Sequence, residues 1–189
     1  MIAEEIENAL KVLKSGGTIL YPTDTIWGLG CDATNAEAVS KIFKIKKRDD
    51  SKSMLVLIDS LEHISNYVKE VPSIAYDLIE VAENPLTIIY PNAKNLAANL
   101  IPPEGTIGIR IVKDDFCCQL IKKFNKPIVS TSANISGMPF PKSFREISAE
   151  LLQEVDYVVK WRQNEPPSSA KPSSIIKLEV NGEIKIIRK

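Results

Sequence analysis

The chain has 189 residues, 44% of them hydrophobic and 25% charged, and its 24 basic and 24 acidic side chains give a formal net charge of zero. This composition is ordinary for one folded domain with a substantial core, so we expect a single domain over 1–189. The zero net charge gives no global reason to expect a nucleic-acid-binding or membrane-surface protein, and no apolar run approaches the roughly 18 residues that a spanning helix needs.

Helices and strands are predicted to alternate in the first third of the chain. Apolar residues at helical spacing predict a helix over about 2–15, and a β-type run follows at 18–21. Pro22 should end that strand, because proline has no backbone N–H to donate. A polar loop then leads to a second helix, for which Thr34 to Glu37 has the pattern of a capping box.

The rest of the chain continues the alternation. The predicted elements are a buried strand at 54–58, helices near 60–69 and 73–82, strands at 86–90 and 106–112, a helix capped by Asp114, a strand at 127–130, a helix from Ser143 to about 153, a strand at 157–160 and a hairpin at Asn181-Gly182. The proline- and serine-rich segment 163–174 is predicted to be a loop that is either mobile or ordered by a ligand. This order predicts an α/β fold with an open mixed sheet flanked by helices.

Several common enzyme classes lack their required residues. The single histidine, His63, excludes a Ser-His-Asp triad with a histidine elsewhere, a histidine-rich zinc site and an HExxH protease, and we expect it on a helix surface. No P-loop pattern occurs, and the glycines from Gly28 onward follow Pro22 by six residues, too far from the strand for a Rossmann fingerprint. Three cysteines without framework spacing, and no secretory leader, predict a reducing cytoplasm.

Hydroxyl and cationic side chains collect where predicted strands end. Taken singly, each group has a structural explanation, as a solvated helix end, a salt bridge or a hydroxyl-rich turn. Taken together, they favour a site for an anionic ligand such as a phosphate. The groups are Thr23-Asp24-Thr25, six basic residues within 41–52, Thr106 with Arg110 on one strand face, and 130–134.

Five segments between Tyr21 and Gly137 form a specific combination, namely YPTDTIWGLGCDA, IFKIKKR with its Lys-x-Arg, NPLTIIY, TIGIR and STSANISG. Together they resemble the YrdC/Sua5 family of threonylcarbamoyl-AMP synthases. The resemblance implies a twisted open sheet with a positively charged concave face. It also implies a nucleotidyltransferase that makes L-threonylcarbamoyladenylate and pyrophosphate from L-threonine, bicarbonate or CO2, and ATP with Mg²⁺, for the t6A modification at position 37 of tRNAs that read ANN codons.

The same resemblance implies residue roles, with the metal ligands left open. Catalytic roles would fall to Lys46 and Arg48. The threonine site would comprise Thr25, Arg110, Ser130 and Ser173, with Ser174 as the alternative to Ser173. ATP contacts would come from Arg48, Lys52, Thr106, Ser132, Asn134 and Arg188. Two residues depart from the family pattern: Asp49 replaces a proline, and Leu57 replaces a histidine near the threonine.

The implied partners are ATP, L-threonine and bicarbonate, with a separate threonylcarbamoyl-transferase complex downstream, tRNA or double-stranded RNA as a further partner, and no membrane. Because bringing a carbamate to the α-phosphate of ATP joins two anions, the implied chemistry needs positioning and charge neutralisation rather than a nucleophilic side chain. Two alternatives stay open. One is a non-catalytic module that binds structured RNA by its phosphates, and the other is a carbamoyl-handling domain of a larger maturation factor.

Overall fold

The fold is built on one mixed β-sheet with helices on both faces. A computed structural model of the chain describes residues 1–47, 54–166 and 171–189. Its helices are α1 (Ile2–Lys14), α2 (Ala36–Lys46), α3 (Ile64–Tyr67), α4 (Ile74–Val81), α5 (Asp115–Phe124) and α6 (Ala149–Glu154). Its strands are β1 (Ile19–Tyr21), β2 (Gly28–Gly30), β3 (Leu55–Ile58), β4 (Leu86–Tyr90), β5 (Ile107–Ile111), β6 (Ile128–Ser132), β7 (Tyr157–Val158), β8 (Ser174–Leu178) and β9 (Ile184–Arg188).

The nine strands lie in the order β7-β1-β2-β6-β3-β5-β4-β8-β9. The pairs β1–β7, β3–β5 and β4–β8 are parallel, and the remaining pairs are antiparallel. The predicted mixed α/β sheet is therefore confirmed.

Strand β2 lies where the sequence predicted only a loop. It is a short glycine-bounded segment between β1 and β6, and a Cβ at Gly30 would lie 2.3 Å from the carbonyl oxygen of Val129. Only glycine permits this close approach, yet glycine is depleted in strands, so no strand could be predicted here from the residue types.

Alternate residues of the sheet feed two separate cores. On β1, Leu20 packs into the core that contains α2 residues, whereas its neighbours Ile19 and Tyr21 pack into the core formed with α1 and α5. On β6, Ile128 also enters the α1/α5 core, but Ser130 and Ser132, which point to the same face, do not. Helices α1 and α5 thus cover only part of that face and leave the rest open.

Two capping predictions were wrong, whereas a third cap and the predicted hairpin turn are confirmed. Helix α2 is capped by the side chain of Asn35, which accepts from two backbone N–H groups, and the predicted helix from Ser143 begins only after Ser148, which caps α6. Asp114 caps α5 as predicted, and Asn181-Gly182 joins β8 to β9. Across the described parts of the chain, no helix combines the length and apolar character needed to span a bilayer.

Candidate active site

A cavity of about 260 Å³ occupies the part of the sheet face that α1 and α5 leave open. We call it the basin. It is bounded by the loop after β1, the start of β3, the end of β6 and the start of β8. Six of the side chains predicted from the sequence line it: Thr25, Arg110, Ser130, Ser132, Ser173 and Arg188.

The loop after β1 is folded so that one hydroxyl faces the basin. The hydroxyl of Thr23 donates to the carbonyl oxygen of Ile26 at 2.7 Å and accepts from the backbone N–H of Thr25 at 3.1 Å. Because its only proton is used, the 3.0 Å contact between the Thr23 and Thr25 hydroxyls has Thr25 as the donor. The lone pairs of the Thr25 oxygen are therefore directed to a ligand as acceptors.

Strand β6 supplies two more hydroxyls because of its pairing with β2 and β3. Ser132 lies opposite Gly28, and Ser130 lies opposite Leu55. A Cβ at Gly28 would be only 3.3 Å from the Ser130 oxygen, so the glycine leaves the space that this hydroxyl occupies. Period-2 alternation then places Ser130 and Ser132 side by side on the basin wall.

Two arginines give the basin its charge. The Arg110 side chain is 4% exposed, its Nη2 lies 3.0 Å from Asp24 Oδ1, and its Nε has no hydrogen-bond partner among the described residues. Arg188 donates from Nε and Nη2 to the carbonyl oxygen of Ser173, at 2.9 and 2.7 Å. Burial, together with the positive charge of Arg110, lowers the pKa of the Arg188 guanidinium. Two such cations in one cavity attract an anion.

A threonine that the sequence analysis did not single out supports Ser173. The Thr87 hydroxyl lies 2.7 Å from the Ser173 hydroxyl in the interior, and Thr87 is paired with Arg110 across β4 and β5. In the sequence, only the position of Thr87 within the NPLTIIY segment pointed to a role at the site.

One part of the basin lining is apolar. Trp27 packs against Phe144, with ring centroids 5.0 Å apart, and its neighbours on the lining include Met54 and Phe140. The sequence analysis missed Phe140 because a single aromatic in a Gly/Pro-rich loop has no pattern that distinguishes it.

Three predicted site residues lie outside the described lining. Lys46 is 2% exposed, and its ammonium donates to the carbonyl oxygens of Ser132 and Asn134 at 2.6 and 2.7 Å. Asn134 directs its side-chain amide to the carbonyl oxygen of Met138. Thr106 precedes β5, and its hydroxyl lies 3.5 Å from a Glu104 carboxylate oxygen. These side chains are thus used for local structure, and their predicted catalytic and ATP-binding roles stay predictions.

The other residues named from the sequence do not line the described basin. Arg48, Asp49 and Lys52 lie outside the described residues. Leu57 is fully buried in the α1/α5 core instead of lining the basin. Among the described lysines of the basic cluster, Lys47 forms an ion pair with Glu150 at 2.7 Å, which offsets its charge. The positively charged concave face also stays a prediction.

The lone histidine belongs to a second cavity, of about 170 Å³, at the other end of β3 and β6. His63 Nδ1 lies 2.7 Å from Asp59 Oδ1 there, far along the strands from the basin. Within the described ranges, no group of three or more His, Cys, Asp or Glu side chains is placed to hold a metal ion.

Comparison with known proteins gives consistent results. The family model Sua5_yciO_yrdC, described as "Telomere recombination", matches residues 11–189. The chain is 32% identical to threonylcarbamoyl-AMP synthase of Pseudoalteromonas translucida over 182 residues, covering 95% of each chain. It superposes with a TM-score of 0.83 on P. abyssi Sua5 in complex with L-threonine, with 26% identity over 92% of this chain, and spans 50% of that longer chain. E. coli YciO has the same fold, with a TM-score of 0.83, 24% identity, and coverage of 97% and 88%.

Proposed function

Because the chain belongs to the Sua5/YciO/YrdC family, we propose that the basin is the active site of a threonylcarbamoyl-AMP synthase. This nucleotidyltransferase forms L-threonylcarbamoyladenylate and pyrophosphate from L-threonine, bicarbonate or CO2, and ATP. One observation carries the assignment to the basin: the buried guanidinium of Arg110, the guanidinium of Arg188 and four predicted hydroxyl side chains converge on one cavity of about 260 Å³.

The threonine carboxylate is placed against Arg110. The Arg110 guanidinium lines the basin, and charge-assisted pairs between a guanidinium and a carboxylate are strong and directional. Thr25 offers an acceptor oxygen to the substrate amine or its hydroxyl, and Ser130 lines the same cavity. The P. abyssi Sua5 complex with L-threonine supports a threonine site in this fold.

ATP is placed with its phosphates beside Arg188 and Ser132, and with its base against the apolar end formed by Trp27 and Phe140. Arg48 and Lys52 are proposed as further phosphate contacts, on the sequence resemblance alone. Neutralising the triphosphate in a partly enclosed cavity is effective, because charges interact more strongly there than in water.

The reaction then proceeds by positioning. The neutral threonine amine forms a bond to the carbon of CO2 and releases an N–H proton to solvent, or to the carbon of bicarbonate with loss of water, and becomes a carbamate. A carbamate oxygen forms a bond to the α-phosphorus of ATP, and the bond from that phosphorus to the bridging oxygen breaks to release pyrophosphate. Arg110 and Arg188 lower the repulsion between the two anions, and the site hydroxyls hold them in line.

The proposal includes Mg²⁺ as the ion that accompanies ATP. The described lining of the basin offers hydroxyls but no carboxylate, so the ion would be carried by the phosphate oxygens rather than by a protein cage. When bound, it would supply further neutralisation of the triphosphate.

The product is an activated acyl-adenylate for t6A formation, and we propose that separate threonylcarbamoyl-transferase proteins consume it, with tRNA as the final acceptor. The alternative, a module that binds structured RNA without catalysis, predicts no adenylate formation. The small, hydroxyl-lined basin favours small substrates over a nucleic-acid helix.

Product formation tests the proposal. The purified chain, incubated with ATP, Mg²⁺, L-threonine and radiolabelled bicarbonate, should form labelled threonylcarbamoyl-AMP with one pyrophosphate for each adenylate. Omitting threonine or bicarbonate should abolish both products. Pyrophosphate release that is independent of threonine, or no labelled adenylate with all substrates present, would reject the function.

A further inference from the structure

Strand β9 forms an open edge of the sheet, and every one of its residues is exposed. The isoleucines Ile184 and Ile186 are 41% and 59% exposed. They point to the same face as Leu178 and Ile176, their partners on β8, which pack into the core of the sheet. The apolar face therefore continues past the point where helices cover it.

The hydrogen-bonding phase of the hairpin shows which backbone groups of β9 are available. The N–H of Glu179 donates to the carbonyl oxygen of Glu183 at 3.0 Å, so 179 and 183 form a hydrogen-bonded pair. Hydrogen-bonded and non-hydrogen-bonded pairs alternate in an antiparallel ladder. Ile184 and Ile186 therefore direct their N–H and C=O groups away from β8, toward the open edge.

We propose that β9 pairs with β9 of a second copy of this chain, antiparallel and about a two-fold axis at Lys185. In this register Ile184 lies opposite Ile186 of the second copy, and Ile186 lies opposite its Ile184. The N–H and C=O groups of both isoleucines point to the open edge, so they can form the hydrogen bonds between the two β9 strands. The two cross-strand isoleucine pairs close the apolar face.

The charges on the other face select the same register. Lys185 lies opposite Lys185 of the second copy, and this pair of like charges alone would be repulsive. Each lysine is also diagonal to Glu183 of the other copy. The two lysines are thus matched by two carboxylates. The register irregularity in β8–β9 lies between Ile175 and Ile176, beyond the segment 183–186 that forms the pairing.

A lone lysine on a bulged strand is a usual way to protect a sheet edge from association. Here the lysine has a complementary carboxylate two residues away, and the bulge leaves the isoleucine segment regular. Pairing would also brace the strand from which Arg188 reaches the carbonyl oxygen of Ser173. The interface is independent of the proposed reaction and stands or fails separately from it.

Sedimentation velocity across protein concentrations of the purified full chain tests the proposal. The wild type should approach twice its mass of 21.0 kDa as concentration rises. Ile186→Lys should raise the dimer dissociation constant at least tenfold. Val81→Lys, a matched change at a 73% exposed apolar residue on α4, should leave it unchanged.

Charge exchange tests the register itself. Lys185→Glu should weaken the dimer, and the double variant Glu183→Lys with Lys185→Glu should restore it. Circular dichroism and thermal melts of each variant establish that it is folded. A wild type that stays monomeric throughout, an Ile186→Lys variant that dimerises normally, equal dissociation by Val81→Lys, or no rescue by the charge exchange would overturn the proposal.

Discussion

Asp24 Oδ1 lies 3.0 Å from Arg110 Nη2, and both side chains are almost enclosed by protein, although only Arg110 lines the basin. A buried guanidinium without a carboxylate would be costly. Asp24 therefore stabilises the charge of Arg110 and fixes its orientation. The sequence analysis placed Asp24 in the right loop, but the pairing with a strand 86 residues away is a property of the fold.

Asp24→Asn should impair threonine binding more than ATP binding, because it removes the charge that orients Arg110. We expect the KM for threonine to rise about tenfold, which corresponds to about 1.4 kcal/mol. The KM for ATP should change much less. Steady-state pyrophosphate release with each substrate varied in turn measures both constants.

Asp59→Asn is the matched control, since that carboxylate pairs with His63 in the other cavity. Equal effects of both substitutions, or a larger effect of Asp24→Asn on the KM for ATP, would contradict the role given to the Asp24–Arg110 pair.

Lys46 is predicted to act by holding the end of β6. Lys46→Met leaves the carbonyl oxygens of Ser132 and Asn134 without their ammonium donor in the interior. Each lost partner costs about 1–3 kcal/mol, so the free energy of unfolding in urea should fall by about 2–6 kcal/mol. Lys47→Met, at an exposed neighbour, should leave the unfolding midpoint unchanged. A Lys46→Met protein with wild-type stability and no activity would instead support the catalytic role that the family resemblance implies.

Thr87 and Ser173 should behave as one unit, because their hydroxyls are 2.7 Å apart in the interior. Thr87→Val and Ser173→Ala should each lower kcat/KM for threonine about fivefold, corresponding to about 1 kcal/mol. The double variant should lose little more than the worse single variant, because the second change removes a contact that is already broken. Fully additive losses would show that the two hydroxyls act separately.

The buried thiols predict a pH dependence of stability. Burial raises the pKa of Cys31 and of Cys117 in the folded protein, whereas a thiol in the unfolded chain ionises near about 8.5. The folded state therefore retains protons that the unfolded state loses, and stability should fall as pH rises. The loss is about 1.4 kcal/mol per thiol for each pH unit above about 9.

Urea unfolding of the wild type and of Cys31→Ser between pH 8 and 10 checks this dependence. The variant should show a shallower decline, and its activity at pH 8 should be close to wild type, because the thiol lies outside the basin. Parallel declines would contradict the linkage.

The sequence predicted the elements that have strong periodicity or distinctive turn chemistry. Helix α1, strand β4 and the hairpin at Gly182 lie where they were expected, because the amphipathic stripe, the apolar run and the Asn-Gly turn act locally. The cap of α2 was misplaced by one residue. Thr34 instead donates its hydroxyl to Asp32, a competition that the pattern of letters does not resolve.

Part of the site was predictable for a similar reason. Residues at strand ends or on one strand face converge when the strands are neighbours, which brings Ser130 and Arg110 to one cavity. The sequence does not give the distance along the strand. Thr106 and Arg110 share a face, but four residues separate them by about 13 Å, so only Arg110 reaches the described basin. The burial of Lys46 was equally inaccessible, because its carbonyl partners are 86 and 88 residues away.

The most direct test of the central claim is a crystal structure with L-threonine and a non-hydrolysable ATP analogue bound together. The threonine carboxylate should lie about 2.7–2.9 Å from nitrogens of Arg110, with the phosphates beside Arg188 and Ser132 and the base near Phe140. Threonine bound elsewhere, for example in the cavity around His63, with Arg110 contacting Asp24 alone, would contradict the account.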